Sequence, residues 1–410
     1  MKLVTCAGVV LLAAALLGEI ARRLRVPSVL GYLGAGVLLG PSGLAADPTR
    51  LPALLRPLLL TPSAITSLAP ISALAQALIL FAVGRRLKLS NLRSGGGALA
   101  AHAISDIVLT FALATSACLV VLGSEHYSLA MLFGAVAIAT APAATLLVLR
   151  EAGAGEAIKA RILPLVGLDN TASLVAFVGL LGAAFALPRP YALLLDIGRG
   201  ALVGLAFGLL LLVPLRLAGT EQKKLLVGLG GLLGCWGAAQ LLGTAPLAAT
   251  LIYGAALANL GGDCGDKVAA SLARLDYPIL VLFFALAGAH LHLDLFTASG
   301  NAAALALTIA YVLGRGAGKA LSTPLAALLH ARVDERLGLG MLAQAGLAIS
   351  LVDVATAVAA TSGRPELVAQ AALLRAVVLA AVAFFELVGP LALRRVVDRR
   401  VASPVQEIVG

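Results

Sequence analysis

Charged and aromatic side chains are scarce in this sequence: Asp, Glu, Lys and Arg make up 12% of 410 residues, and Phe, Trp and Tyr make up 4% with a single Trp. Soluble chains average about 25% charged residues, so a water-soluble globular class is excluded. Long polar stretches are missing too, and no segment of soluble-domain size separates one apolar run from the next. The only four cysteines, Cys6, Cys118, Cys235 and Cys264, form no CxxC pair and mostly lie in apolar runs, which leaves them as small packing residues rather than a disulfide or metal framework. No G-x-G-x-x-G occurs in a strand-to-helix context, which argues against a nucleotide-binding domain.

What the chain has instead is hydrophobic length. Hydrophobic residues make up 60% of it and the mean hydropathy is +1.02. Runs able to cross about 30 Å of hydrocarbon recur throughout, at 3–20, 28–45, 68–84, 95–122, 127–149, 161–186, 191–215, 224–242, 245–260, 275–291, 301–328, 337–361 and 366–393. The first run is read as a retained helix rather than a secretory signal, because no small-residue cleavage site precedes Arg22-Arg23-Leu24-Arg25. Sorting Lys and Arg between alternate loops places twenty-one on one side, from Arg22 to Arg400, and five on the other: Lys2, Arg50, Arg56, Arg189 and Arg364. Basic loops stay cytoplasmic, so the N-terminus is expected outside, the C-terminus inside and the number of spans odd. The formal net charge of +10 then follows from topology, and nucleic acid is not an expected partner.

Within this apolar background, Asp169 and Asn170 sit in the run Arg161 to Leu181. A mid-bilayer carboxylate costs about 2.5–3.5 kcal/mol on insertion scales, and such residues face the bundle interior and commonly handle ions or protons. Two spans carry interruptions. The fifth has Thr140-Ala-Pro142-Ala-Ala-Thr145, where Pro142 lacks a backbone donor; the twelfth has Gln344-Ala345-Gly346 at similar depth. Unwound backbone inside a membrane is tolerated where it is shielded by protein or lines a cavity, and paired broken helices point to a transport site. The two breaks occupy the fifth place of two six-span units, 1–186 and 224–396, with 191–215 as a linker and 397–410 as a short cytoplasmic tail. Because the second unit starts on the opposite face, the repeat is inverted. A weak echo between Pro27 to Gly36 and Pro246 to Gly254 supports it, against the alternative that Gly and Ala simply recur in membrane helices.

Arg25-Val-Pro27-Ser-Val-Leu-Gly31-Tyr32-Leu-Gly-Ala-Gly36-Val-Leu-Leu-Gly40-Pro41-Ser-Gly43-Leu resembles the second-helix signature of the monovalent cation/proton antiporter superfamily, in the branch containing Kef-type potassium efflux systems. Pro278 to Leu295 and Glu386 to Arg395 are similar to that branch's tenth-span and closing patterns, so the resemblance covers essentially the whole chain. It implies an all-α polytopic membrane protein of about 13 transmembrane helices in two inverted repeats, with crossed discontinuous helices beside an aspartate. It also implies a scaffold domain, a mobile core moving as an elevator, and a homodimer. Thr140 and Gln344 are then expected near the ion site, and the nucleotide-sensing domain of many Kef-type relatives is expected to be absent.

Departures from the family pattern bear on the site. Relatives carry the essential acid second in an Asp-Asp, Asn-Asp or Gln-Asp pair, whereas this chain reads Asp169-Asn170. One register makes Asn170 the replacement for that acid. The other, matching Asp-Asn-Thr-Ala to the Asp-Gly-Thr-Ala of the sister branch, keeps Asp169 and is favoured because it leaves a working carboxylate. The family's Lys-x-x-Gly pattern puts Arg315 at the basic position, with Lys319 one turn further, and either could offset Asp169 until a cation or proton displaces it. Asp106 is expected to pair with Arg315, Lys319 or Arg375. Asp353 could line the cavity or answer a nearby cation, and Glu386 with Arg375 resembles scaffold positions. Gly84-Arg85-Arg86-Leu-Lys88 replaces an acidic family pattern, as a positive-inside anchor or an altered entrance. His290 and His292 beside Asp294 are a weak metal set, expected to pack at the interface or sense pH.

The expected function is secondary transport, not enzymatic catalysis: Na+ or K+ exchanged for H+ without a cofactor, electroneutral, in the inner membrane. Two alternatives stay open, a non-transporting sensor or assembly component, and a carrier of an anionic solute drawn to Arg315 and Lys319. The discriminating feature is whether Asp169 faces a wetted cavity or is locked in a dry ion pair.

Overall fold

In the computed structural model, residues 2–47, 49, 52, 56–85, 87–89, 96–185, 192–289, 302–330 and 337–402 are described. Arg86, His290, His292 and Asp294 lie outside them. All regular structure among the described residues is helical: α1 (Lys2–Arg23), α2 (Ser28–Leu39), α3 (Pro62–Gly84), α4 (Gly96–Leu122), α5 (Tyr127–Ile138), α6 (Pro142–Glu151), α7 (Glu156–Ala184), α8 (Ala192–Leu210), α9 (Leu212–Leu217), α10 (Glu221–Leu241), α11 (Pro246–Leu260), α12 (Gly262–Ala289), α13 (Ala302–Leu329), a 3-10 segment (Leu337–Met341), α14 (Gly346–Thr361) and α15 (Pro365–Ala402), with minor 3-10 turns between. The starts follow local chemistry. Proline opens α3, α6, α11 and α15, where its missing N–H costs nothing, and the Thr61 and Thr220 hydroxyls cap α3 and α10 by accepting from the Ala64 and Lys223 N–H groups.

Nine helical segments among the described residues are long and apolar enough to cross a membrane, ten if the bent pair Gly262–Leu275 and Tyr277–Ala289 is one span. The remaining expected spans fall on the shorter Pro246–Leu260 and Gly346–Thr361, and on α13, whose apolar run Arg315 and Lys319 interrupt. The chain is therefore a multi-pass, all-helical membrane protein.

It folds as two units, residues 1–96 with 175–298 and residues 97–174 with 299–410, the division falling within α7. In the first unit α2 packs on α12, while α3 and α8 pack on α11. Phe81 and Tyr253, with ring centroids 5.2 Å apart, sit in a core with Leu232, Cys235 and Leu257. Beyond α3, Arg85 pairs with Asp266, Lys88 approaches the same carboxylate at 3.5 Å, and the Asn259 side chain holds both the Leu87 carbonyl and the Leu89 N–H. Two of the basic groups expected to form a cation-repelling entrance are thus neutralised by Asp266. The four cysteines are free and three are buried, as packing residues should be.

The second unit holds the polar residues. Here α4 and α13 run antiparallel at close range: a Cβ on Gly314 would lie 2.7 Å from the Leu113 carbonyl and 2.8 Å from Ala114 Cα, and one on Gly318 would overlap Thr110. Any larger residue at these two positions would drive the helices apart. That approach sets a register in which Asp106 stands opposite Lys319 and His102 opposite Thr323.

Candidate functional site

The site begins with two interrupted helices. Pro142 disfavours helical backbone at the residue before it, and Ala139 and Ala141 are extended (ψ 132° and 108°), so α5 stops at Ile138 and α6 starts at Pro142. The second interruption covers 342–345, between the 3-10 segment and α14, with Gly346 as the first residue of α14. The two extended pieces meet where the Ala141 N–H donates to the Ala343 carbonyl at 2.8 Å. Both expected breaks are present, with Pro142 as a first helical residue rather than a kink.

A broken helix leaves carbonyls without intrahelical partners and a partial negative charge at its C-terminal end. Nearly every carbonyl of this crossing finds a side-chain donor. Gln344 Nε2 donates to the Val136 carbonyl at 2.9 Å and contacts the Tyr311 hydroxyl at 2.8 Å. Arg315 donates to Ala137 (2.9 Å), Ala139 (2.9 Å), Leu342 (2.7 Å) and Ala343 (3.3 Å), and its guanidinium lies 4.3 Å from the centroid of the Phe385 ring. Lys319 reaches the Ile138 carbonyl at 3.0 Å, and Asn170 Nδ2 reaches that of Thr140 at 2.9 Å.

This accounting corrects the role expected for Arg315. Its planar fork of donors suits several carbonyls at once and is used up on them, leaving the ion pair to Lys319. Lys319 Nζ bonds Asp169 Oδ2 at 2.7 Å, pairs with Asp106 Oδ2 and lies 3.1 Å from Thr140 Oγ1. The Thr140 hydroxyl donates to Asp169 Oδ2 at 2.8 Å. Lys319, Asp106 and Asp169 are all 0% exposed. Asp106, Thr140, Asp169, Asn170, Arg315, Lys319 and Gln344 are thus brought together at one crossing.

Asp353 and Arg375 are not part of it. They pair with each other at 3.0 Å, 53% and 45% exposed, so Arg375 is not the partner of Asp106, and Asp353 answers a cation away from the crossing. Glu386 is buried on α15, with neither carboxylate oxygen hydrogen-bonded among the described residues. The sequence reading overlooked His102, Tyr311 and Phe385. The first two had a signal: Tyr311, Arg315, Lys319 and Thr323 recur every fourth residue along α13, and His102 precedes Asp106 by four on α4, so each set lines one face.

Comparison with known proteins gives the arrangement a context. The transmembrane sodium/hydrogen exchanger family matches residues 9–399. Among solved structures, the sodium proton antiporter MjNhaP1 from Methanocaldococcus jannaschii at pH 8 aligns with a TM-score of 0.66 at 17% identity, covering 98% of both chains. An electron-microscopy structure of the same antiporter aligns with a TM-score of 0.72 at 14% identity, again over 98% of both chains. At these identities the structures speak for the fold. No curated protein matches the chain. With nearly its whole length matched, the chain belongs to the sodium/hydrogen exchanger family of transmembrane cation/proton antiporters.

Proposed function

We propose that the chain exchanges one monovalent cation, Na+ or K+, for one proton by alternating access, with Asp169 as the group that binds either. The observation that carries this reading is the charge count of the buried cluster. Two carboxylates, Asp106 and Asp169, share one ammonium, Lys319, away from water, while the Arg315 charge is balanced by the C-terminal dipoles of the two interrupted segments. The cluster is short of one positive charge, and an uncompensated charge is costly in a dry site. One proton or one monovalent cation restores neutrality and both together overshoot, so the two compete and exchange is electroneutral.

Asp169 Oδ1 and Asn170 Oδ1 accept no hydrogen bond among the described residues, and with Thr140 Oγ1 they offer oxygen ligands where the backbone is unwound. Arg315 and Lys319 are fully engaged, which speaks against an anionic substrate. A non-transporting descendant is the second reading, because Asp169 is in the dry contact with Lys319 that this alternative requires. The missing positive charge opposes it, since a locked structural pair has no need of a second carboxylate.

The basic loops support an inner-membrane location with the N-terminus outside, and the family resemblance supports a homodimer. Packing of α2 on α12 and of α3 on α11 supports the inverted repeat, because shifting from one six-span unit to the other converts the first pair into the second. The test is proton flux in proteoliposomes with an internal pH dye, adding Na+, K+ or Li+ with the voltage clamped. Cation-driven, voltage-insensitive flux that is lost in Asp169→Asn is expected. Folded wild type giving no flux with any of the cations would overturn the exchange reading.

A further inference from the structure

Asp106 continues into a buried polar seam that the ion pair does not use. One turn away on the same face of α4 lies His102, 2% exposed, and opposite it on α13 lies Thr323, 0% exposed. Thr323 Oγ1 accepts from the Gly338 N–H at 2.6 Å and lies 3.4 Å from His102 Nε2, so its own proton is directed at the ring nitrogen. Ser105 Oγ and Asp106 Oδ1 face no hydrogen-bond partner among the described residues although both residues are buried. These two atoms can hold a bridging water across the single turn that separates the imidazole from the carboxylate. Asp106 and Lys319 are the charged groups acting on His102. Toward the start of α4, His330 packs against Gly97, so a second imidazole stands where the seam approaches the end that the basic loops assign to the cytoplasm.

We propose that His102 is the proton-transfer residue between the Asp106–Lys319–Asp169 cluster and the cytoplasmic side. A proton leaving the cluster bonds to one ring nitrogen and forms imidazolium; loss of the proton from the other nitrogen, toward His330 and water, restores the neutral ring. Nothing is consumed. The seam admits protons and not cations, because its walls are fully packed and its polar groups are spaced for single hydrogen bonds. The proposal rests on the exchange reading and adds a separate route for protons.

The experiment compares wild type, His102→Ala and His102→Gln in proteoliposomes driven by a saturating cation gradient, with and without added imidazole. General acid-base groups contribute factors of about 100 or more, so His102→Ala is expected to slow exchange at least tenfold with an unchanged KM for the cation. Imidazole, entering the space left by the ring, restores the rate. His102→Gln keeps a hydrogen bond for Thr323 and fills the space, so it is slow and not rescued; it carries the test if the alanine variant does not fold. A wild-type rate in either folded variant overturns the proposal, and so does a slow His102→Ala that imidazole does not restore. Absence of flux in wild type would instead be a failure of the exchange reading.

Discussion

Replacing Lys319 by alanine is expected to cost about 3–5 kcal/mol of stability, the range for removing one partner of a buried ion pair, and to abolish exchange. The variant leaves Asp106 and Asp169 in one dry site with no cation between them, and the Ile138 carbonyl loses its side-chain donor. Adding Asp106→Asn removes one of the two carboxylates. The double variant is therefore expected to melt well above Lys319→Ala in detergent, though below wild type, because groups in one network do not contribute additively. Exchange is not expected to return, since the remaining acid has lost the cation that competes with the substrate. A double variant no more stable than the single one would show that Asp106 and Asp169 do not share the ammonium.

The other large effect is expected at Arg315. Arg315→Met keeps most of the length of the side chain but takes donors from the Ala137, Ala139 and Leu342 carbonyls, while Ala343 keeps the Ala141 N–H. Each buried group left without a partner costs about 1–3 kcal/mol, so a loss of at least about 3 kcal/mol is expected, with the crossing of the two interruptions loosened. Arg315→Lys is expected to fall between the two, because an ammonium has three donors and no fixed fork. Thermal melting in detergent with limited proteolysis reads both variants. Arg315→Met melting like wild type would contradict the view that this guanidinium holds the two breaks together.

The fold and half of the site were legible in the sequence because each depends on a residue that is costly in its local setting. Asp169 in an apolar run, Pro142 in the middle of a span and Gln344 beside Gly346 are such residues, and all lie at the crossing. Orientation could be read from basic residues alone. The division of labour between Arg315 and Lys319 could not be: they are one turn apart on the same face of α13, and only the depth at which the broken helices present their carbonyls separates a carbonyl clamp from an ion-pair partner. That depth is set by long-range packing. The pairing of Asp353 with Arg375, 22 residues apart on α14 and α15, was hidden for the same reason. His102 was legible and overlooked, since a lone buried histidine carries little signal until Asp106, four residues on, is seen to belong to the site.

The central claim is that one missing positive charge in the Asp106–Lys319–Asp169 cluster is supplied by either a proton or a cation. The most direct measurement is the number of protons released when Na+ or K+ is added to the purified protein in weakly buffered detergent solution, titrated across pH. About one proton per cation bound is expected at the acid end of the binding range, falling toward zero as pH rises and the site loses its proton beforehand, with neither binding nor release in Asp169→Asn. Cation binding without proton release at every pH, or release unchanged in Asp169→Asn, would contradict the account.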